Sequence, residues 1–287
     1  MPDYTEDTIL VCAVARNISS SLHKDFDRIN LALRKFKNIL WIVIESDSTD
    51  QSVETLAEFS SRNPNFDYKS LGKLSQKFNS RTEILAFARN AYLEELLTNA
   101  KYTNVNLIAI ADLNNLNSKI SADSVNSALA LSDWGMCTAN QDGPYYDIWA
   151  LRHELWSPND CWEQLEFFRK YSRKKNLTLN SSINSRMLKI PRDSAPIEVD
   201  SAFGGFAFVS KKHVTNSSMY RGKDTRGREI CEHVSFCEEV RNSGGRIFVI
   251  PSLINTRFTD HSFRSTPIYS IYRNMGYPIK YLRKLLN

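Results

Sequence analysis

The stretch NLIAIAD, residues 106–112, is an apolar run that ends on an acidic residue. Runs of this kind are typical of strands that are covered on both faces in a parallel sheet. Two similar runs precede it, TILVCAV at 8–14 and ILWIVIE at 39–45. Between the runs, apolar residues recur every three or four positions, as they do on one face of a helix. This alternation predicts an α/β fold with a mostly parallel central sheet flanked by helices.

The predicted helices are placed by their apolar faces. The first begins at Leu22, and the third carries Leu85 on its apolar side. The second follows an acidic turn, and the capping-box spacing of Ser48 and Gln51 predicts that it begins there. Beyond residue 115 the alternation is weaker. It predicts strands at 134–139, 203–209 and 246–251, helices at 161–175 and 232–242, and a polar loop at 176–197.

Domain organisation follows from the absence of any repeat or linker in the sequence. We predict one domain over residues 1–262, with a nucleotide-binding half at about 1–115 and an acceptor-binding half at about 116–262. The remaining segment, 263–287, is a basic and aromatic tail. Such a tail suits either peripheral contact with an anionic membrane or docking on the domain as a terminal helix.

Composition indicates a soluble globular protein, because 42% of the 287 residues are hydrophobic and 24% are charged. The five cysteines form no CxxC pair, which indicates a reducing compartment. The N-terminus lacks a basic region followed by an apolar stretch, and no apolar run approaches the roughly 20 residues that span a bilayer. We therefore predict a cytoplasmic protein, in part peripheral to the inner face of a membrane, with no nucleic-acid partner.

Two oxygen-bearing side chains, Asp112 and Asn114, stand two positions apart just past a predicted strand. Hard cations such as Mn²⁺ and Mg²⁺ prefer oxygen ligands and commonly combine one or two protein groups with substrate phosphates. Ligands of open α/β sheets gather at the carboxyl ends of strands, so Glu45, Asp47 and Asp112 are expected at one rim. These residues indicate a cation and diphosphate site. The alternative is that Asp112 is an ordinary turn-forming residue.

Four short motifs occur in an order that a known family uses. They are Ala15-Arg16-Asn17, the segment 45–50, the helical segment 81–90 and Asp112-Leu113-Asn114. The sequence resembles GT-A glycosyltransferases over roughly residues 8–260. Within that fold it is most similar to the group of fungal capsule-associated mannosyltransferases and their bacterial and viral relatives. Segments 146–152 and 231–236 add to this resemblance.

The resemblance implies a nucleoside-diphosphate sugar as donor. It implies a nucleotide pocket lined by Ala15, Arg16 and Asn17, with Glu45 and Asp47 facing the base or ribose and Arg89 near the nucleotide. The metal motif of the family usually ends in a second acid, and here that position is Asn114. Independently of the likeness, guanidinium groups such as Arg16 and Arg89 suit phosphate oxygens because they offer a planar fork of donors. An exposed helix or turn position is the alternative for each arginine.

Catalysis of glycosyl transfer needs a carboxylate near the anomeric carbon, and we predict Glu232 and Asp200 for it. Such a group deprotonates the acceptor hydroxyl in an inverting enzyme or stabilises the oxocarbenium-like state in a retaining one. His233 is expected beside Glu232 as a polar partner. The alternative is that Glu232, in the first turn of a helix, only favours the helix dipole.

The acceptor site is predicted from aromatic rings beside polar groups, a combination that recognises carbohydrates. Its expected members are Asp147, Trp149, Arg152, Gly204 and Gly205. Paired glycines let a ligand approach the backbone closely, and a structural bulge is the competing explanation. Further along, His261 follows the last strand and is a predicted third metal ligand beside Asp112 and Asn114, with a surface histidine as the alternative.

The sequence thus predicts metal-dependent transfer of a hexose to a glycan or lipid-linked saccharide, in capsule or surface polysaccharide synthesis. A nucleotidyltransferase is the first alternative, but it would need a glycine-rich phosphate loop after the first strand. The segment RNISSS at 16–21 contains no glycine. A carbohydrate-binding protein without catalysis is the second alternative, and Asn114 in place of an acid keeps it open.

Overall fold

The computed structural model describes residues 4–259 and 262, which form one eight-stranded sheet between two layers of helices. The strands are β1 (Thr8–Ala15), β2 (Asn38–Glu45), β3 (Phe66–Ser70), β4 (Val105–Asp112), β5 (Met136–Gln141), β6 (Ile197–Val199), β7 (Phe206–Ser210) and β8 (Ile247–Thr256). The helices are α1 (Leu22–Ala32), α2 (Ser52–Arg62), α3 (Arg81–Thr98), α4 (Ala122–Leu129), α5 (Cys161–Tyr171), α6 (Lys175–Ser182) and α7 (Glu232–Asn242).

The order of strands across the sheet is β3-β2-β1-β4-β7-β5-β8-β6. Strands β1 to β4 run parallel, whereas β7 is antiparallel to both of its neighbours, β4 and β5. Beyond β7, β5 and β8 are again parallel, and the edge strand β6 is antiparallel to β8. The predicted α/β fold, a mostly parallel central sheet flanked by helices, is confirmed.

Alternate residues of β1 face the two layers, as the period of a strand requires. Ile9 and Val11 pack into a core with α1, α2 and α4, while Leu10 and Cys12 pack into a second core with α3, α5 and α7. All four are fully buried. Because each such aliphatic side chain contributes about 1.5–3 kcal/mol on burial, the two cores hold the sheet between the helices and fix the positions of the strand ends.

The carboxyl ends of β1, β2 and β4 lie side by side at one rim of the sheet. In the register of the parallel pairs, Ala15 lies opposite Glu45, and Val14 lies opposite Asp112. The neighbouring residues Arg16 and Asp47 follow directly from the same strand ends. The prediction that Glu45, Asp47 and Asp112 gather at one rim is confirmed for the backbone.

Three local predictions are wrong. The second helix begins at Ser52, and Ser48 does not cap it, since its Oγ accepts the backbone N–H of Asn17. The predicted loop at 176–197 contains most of helix α6, and the predicted helix at 161–175 ends at Tyr171. In addition, the edge strand β3, in which only Phe66 is buried, was not predicted.

All five cysteines are buried and free of disulfides. Within the described residues, none of the helices is both long and apolar enough to cross a bilayer. The predicted tail at 263–287 and the predicted metal ligand His261 lie outside the described residues.

Candidate active site

A cleft of about 1480 Å³ opens at the carboxyl ends of β1 and β4. Its walls come from these strand ends, from one face of α3, from the start of α7 and from the loops around residues 147 and 203. Many of the residues predicted for function line it. They are Ala15, Arg16, Asp47, Arg89, Asp112, Asn114, Asp147, Trp149 and Glu232.

Asp47 marks the end of the cleft near β1 and β2. Its Oδ1 accepts hydrogen bonds from the backbone N–H and the hydroxyl of Ser75, while its buried Oδ2 has no partner among the described residues. Burial acts to raise the pKa of Asp47, but the bonds from Ser75 and the charge of Arg16 outweigh it and lower the pKa. Asp47 is therefore an ionised carboxylate with one oxygen free to accept a hydrogen bond from a ligand.

Asn17 and Glu45 do not line the cleft. The Oδ1 of Asn17 accepts the backbone N–H of Thr49 at 2.8 Å, and the Oε1 of Glu45 accepts that of Ser48 at 3.0 Å. Both side chains thus hold the turn that carries Asp47, which has a left-handed backbone with φ of 58°. Their predicted nucleotide contacts stay predictions.

Arg89 joins two carboxylates of the cleft. Its Nε donates to Glu232 Oε1 at 3.0 Å and its Nη2 donates to Asp112 Oδ1 at 3.1 Å. The rings of Phe203 and Tyr220 lie within cation–π distance of the guanidinium. Arg89 is buried, and its Nη1 has no partner among the described residues. One guanidinium therefore positions two candidate carboxylates.

Asp147 supplies a further carboxylate of the cleft, one that interacts with Asp112 and Glu232. Its Oδ2 accepts the backbone N–H of Gly204 at 3.0 Å. Burial raises the pKa of Asp147 to about 6, the bond from Gly204 opposes this, and the negative charges of Asp112 and Glu232 raise the pKa further. A carboxyl group with this pKa can exchange a proton near neutral pH.

His233 follows Glu232 and lies buried in the same wall. Its ring stacks on Phe203 with 3.8 Å between centroids, and neither ring nitrogen has a hydrogen-bond partner among the described residues. Burial, together with the charge of Arg89, lowers the pKa of His233 well below its ordinary value. The imidazole is therefore neutral. Unpartnered buried polar atoms are rare, so His233, Arg89 and Asp47 together indicate a place for a polar ligand.

The loop after β4 is held by Asp25, a residue that the sequence analysis did not single out. Asp25 lies buried on α1, and its carboxylate accepts the backbone N–H of Asn114 at 2.8 Å and that of Asn115 at 3.0 Å. Both asparagines have left-handed backbones, with φ of 72° and 60°. An acid on the apolar face of α1, between Leu22 and Ile29, is the signal that could have revealed it.

The paired glycines shape the backbone behind the acids. A Cβ at Gly204 would lie 2.5 Å from the carbonyl oxygen of Ala139, and one at Gly205 would lie 2.6 Å from Leu116. The carbonyl of Gly205 also accepts the backbone N–H of Asp112 at 2.9 Å. Neither glycine lines the cleft, so close packing explains both, as the bulge alternative expected.

Two other predicted residues lie away from the cleft lining. The side chain of Asp200 is largely exposed and pairs with Arg241 at 2.6 Å. Arg152 pairs with Asp160 at 2.8 Å and donates to the carbonyls of Trp149 and Leu151. The structure therefore brings Glu232 to the cleft but not Asp200, and it gives Arg152 a role in holding the loop of Trp149.

Two tryptophans form an aromatic wall of the cleft. Trp149 and Trp162 meet edge to face with 6.4 Å between centroids, and both line the cleft. The Nε1 of Trp149 donates to Asp160, which also caps α5. Flat indole faces beside polar edges are the surfaces on which sugar rings pack.

The residues of the cleft fit a hard divalent cation that takes part of its shell from a substrate. The Oδ2 of Asp112 and the side-chain amide of Asn114 have no hydrogen-bond partner among the described residues, and both residues line the cleft. In the described part of the chain, no group of three His, Cys, Asp or Glu side chains is placed to hold a metal alone. Oxygen donors of this kind suit Mn²⁺ or Mg²⁺ completed by phosphate oxygens.

No protein-family model and no curated protein matches the chain. Similar solved structures include the mannosyltransferase PcManGT from Pyrobaculum calidifontis in complex with GDP-Man and Mn²⁺, at 13% identity and a TM-score of 0.48. That match covers 90% of this chain and 59% of the other.

Two further solved structures are similar at the same level. S. aureus TarS 1-349 in complex with UDP-GlcNAc is 12% identical, with a TM-score of 0.48, and the match covers 90% of this chain and 61% of that one. Mannosyl-3-phosphoglycerate synthase from Rubrobacter xylanophilus is 11% identical, with a TM-score of 0.36 over 72% of this chain and 54% of that one. This chain spans less than two thirds of the length of each of the three.

Proposed function

We propose that this protein is a metal-dependent glycosyltransferase that moves a hexose from a nucleoside-diphosphate sugar to a saccharide acceptor. The observation that carries the proposal is the pair of carboxylates, Asp112 and Glu232, that Arg89 holds within one cleft at the carboxyl ends of the parallel strands. The first acid suits a cation and the leaving diphosphate, and the second suits the reacting sugar.

The donor nucleotide binds at the end of the cleft near Arg16 and Asp47. The free Oδ2 of Asp47 accepts a hydrogen bond from the ribose or base, and Arg16 offers its guanidinium to phosphate oxygens. Asp112 and Asn114 hold Mn²⁺ or Mg²⁺, which neutralises the charge of a leaving diphosphate when it is bound.

Transfer occurs in the part of the cleft lined by Asp112, Asp147 and Glu232, together with the aromatic wall. Glu232, fixed by Arg89, stabilises the positive charge that develops at the anomeric carbon. Asp147, with its pKa of about 6, accepts the proton of the attacking acceptor hydroxyl. Asp147 thereby takes the place that the sequence analysis gave to Asp200.

The acceptor is proposed to be a glycan or lipid-linked saccharide that packs on Trp149 and Trp162. The resemblance to capsule-associated mannosyltransferases leads us to propose a role in capsule or surface polysaccharide synthesis. A carbohydrate-binding protein without catalysis would use the same wall, but it would not need two acids held by one buried arginine.

A thermal-shift screen of nucleotide sugars with and without Mn²⁺ tests this proposal, since a ligand that binds only the folded state raises Tm. The panel includes GDP-mannose and UDP-N-acetylglucosamine. We expect at least one nucleotide sugar to raise Tm in the presence of Mn²⁺ and to be hydrolysed slowly without acceptor. Binding of free sugars alone, with no response to any nucleotide sugar, would instead support the carbohydrate-binding alternative.

A further inference from the structure

Helix α5 carries an exposed apolar surface beyond the cleft. Phe167, Tyr171 and Leu177 are 55%, 79% and 56% exposed, although residues of this kind are usually buried. With Phe168 they border a shallow groove of about 480 Å³ between α5 and α6. The rings of Phe167 and Tyr171 touch, with 5.2 Å between centroids. We call residues 167–177 the α5–α6 patch.

The same patch carries a dense positive charge. Five exposed cations lie within seven positions, and none of their side chains has an ion pair or hydrogen bond among the described residues: Arg169, Lys170, Arg173, Lys174 and Lys175. Elsewhere in the described residues, about half of the basic side chains form an ion pair with an acid. Arg221, Lys223 and Arg228, for example, all bind acids on neighbouring elements. The acids nearest in sequence are Glu163, which is bound to Arg228, and Glu166.

We propose that the α5–α6 patch docks on the surface of an anionic phospholipid bilayer. Clusters of four to eight Lys or Arg residues are attracted to anionic headgroups, and exposed aromatic and aliphatic side chains enter the boundary between headgroups and acyl chains. The α5–α6 patch carries both the cluster of cations and the exposed apolar side chains, and its positive charge is complementary to an anionic membrane. A nucleic acid would satisfy the cations but would leave Leu177 and the groove beside Phe168 in water.

The patch is continuous with the cleft through helix α5. Trp162 and Glu166, on the first two turns of this helix, line the cleft, whereas Phe167 and Tyr171 lie on the patch. Because a helix rises about 1.5 Å per residue, the cleft wall and the patch are about one to two turns apart. Docking therefore places the cleft beside the headgroup layer, which suits a lipid-linked acceptor. This last step rests on the proposed function, whereas the docking itself does not.

Co-sedimentation of the full chain with vesicles tests the proposal. We use vesicles of phosphatidylcholine alone or with about 30% phosphatidylserine, at an ionic strength of about 0.1 M. The wild-type chain is expected to partition at least about tenfold better onto the anionic vesicles, with a partition that falls as salt is added. Equal partition onto both kinds of vesicle would overturn the proposal.

Two variants separate the apolar and the charged parts. F167S/Y171S/L177S is expected to lose at least about tenfold in partition, because the inserted side chains are gone. R169Q/K170Q/R173Q/K174Q/K175Q is expected to lose at least about 10²-fold, since each cation near such a surface contributes roughly a factor of five. The matched control removes five exposed and unpaired cations elsewhere and is expected to keep partition within about threefold. Its substitutions are K24Q/R34Q/K73Q/K77Q/K212Q.

Failure of the docking proposal and failure of the proposed function would give different experimental results. Unchanged vesicle binding in both patch variants, with Tm preserved, would overturn docking, since another segment would then carry the binding. Tighter binding of single-stranded DNA than of anionic vesicles, lost in the charge variant, would also overturn it in favour of a nucleic-acid site. If vesicle binding follows the expected pattern but no nucleotide sugar binds, the docking stands and the proposed function fails.

Discussion

Arg89 Nε lies 3.0 Å from Glu232 Oε1, so a residue of α3 directly positions the first residue of α7 across 143 positions of sequence. The same guanidinium reaches Asp112 at the end of β4 through Nη2. A planar guanidinium serves both acids at once, whereas an ammonium group is a single point of charge. The geometry of the candidate site therefore depends on the two hydrogen bonds that the Arg89 guanidinium donates to Glu232 and Asp112.

Replacement of Arg89 by lysine is expected to reduce kcat/KM for transfer by at least about 10²-fold, because one of the two carboxylates loses its fixed position. The free energy of unfolding is expected to fall by about 1–3 kcal/mol, which is the contribution of a hydrogen bond to a charged group. Steady-state kinetics and urea unfolding measure both. Arg62→Lys, at an exposed pair on α2, is the control and should change neither. Normal transfer by Arg89→Lys would mean that the guanidinium of Arg89 is not needed to position the two carboxylates.

Glu232→Gln keeps the size of the side chain and an oxygen for the Arg89 Nε bond, but it removes the charge. We expect a loss of about 10²–10⁴-fold in kcat, with the donor Kd within about threefold of the wild-type value, because the charge acts on the transition state. Single-turnover kinetics and donor titration measure the two quantities. Glu238→Gln, on the exposed side of the same helix, is the control. A large defect in donor binding with a normal rate would show that the role of Glu232 is misassigned.

Asp25→Asn removes the carboxylate that accepts both N–H groups of the Asn114–Asn115 loop. An amide oxygen can still accept one bond, but the amide N–H₂ faces the second N–H. We expect about 1–3 kcal/mol less stability. We also expect the activating concentration of Mn²⁺ to rise severalfold, because Asn114 is no longer held. Metal titration of activity measures this. Asp27→Asn, exposed on the same helix, should leave the titration unchanged, and an unchanged titration in Asp25→Asn would contradict the positioning role.

Asp147 is expected to make the stability of the protein depend on pH, with a sign that follows from its raised pKa. Its pKa of about 6 in the folded chain lies above the ordinary value of 3.8, so the folded state holds the proton more tightly. Below about pH 4, Asp147 contributes up to about 3 kcal/mol to the free energy of unfolding. This contribution is lost as the pH rises through about 6. Asp147→Asn is expected to remove this slope in urea unfolding between about pH 4 and 7.

The transfer activity should change with pH in the opposite direction to the stability. Transfer by the wild-type chain is expected to rise with pH through about 6, as Asp147 becomes able to accept a proton. In Asp147→Asn the rate should be low at every pH, whereas Asp193→Asn at an exposed position should keep the wild-type profile. A pH profile of kcat that is identical in wild type and Asp147→Asn would remove Asp147 from the reaction.

The central strands could be predicted from the sequence because β1, β2 and β4 each contain an uninterrupted apolar run, as is typical of strands buried on both faces. Helix α7 was predicted with its observed bounds. Strand β3 was missed because its sequence, FDYKS, pairs along one edge only and buries a single residue. Helix α6 was missed because its sequence, KNLTLNSS, lacks an apolar stripe and packs mainly on α5.

From the sequence, only those residues of the candidate site that lie at the ends of strands could be predicted. Asp112 and Asp47 follow buried strands, so their place at the rim was readable from the chain. The contact between Arg89 and Glu232 could not be read, because it depends on how α3 and α7 pack on the same face of the sheet. Asp200 follows directly after β6, and its pairing with Arg241, away from the cleft lining, could not be read from the sequence either.

Calorimetric titration of a nucleoside diphosphate into the wild-type chain and into Asp112→Asn, each with and without Mn²⁺, tests the central claim most directly. We expect Mn²⁺ to tighten binding to the wild-type chain at least about tenfold, which is roughly 1.4 kcal/mol, and to leave the variant unaffected. Binding that is equally tight without metal in both proteins would contradict the account, as would an undiminished Mn²⁺ effect in Asp112→Asn.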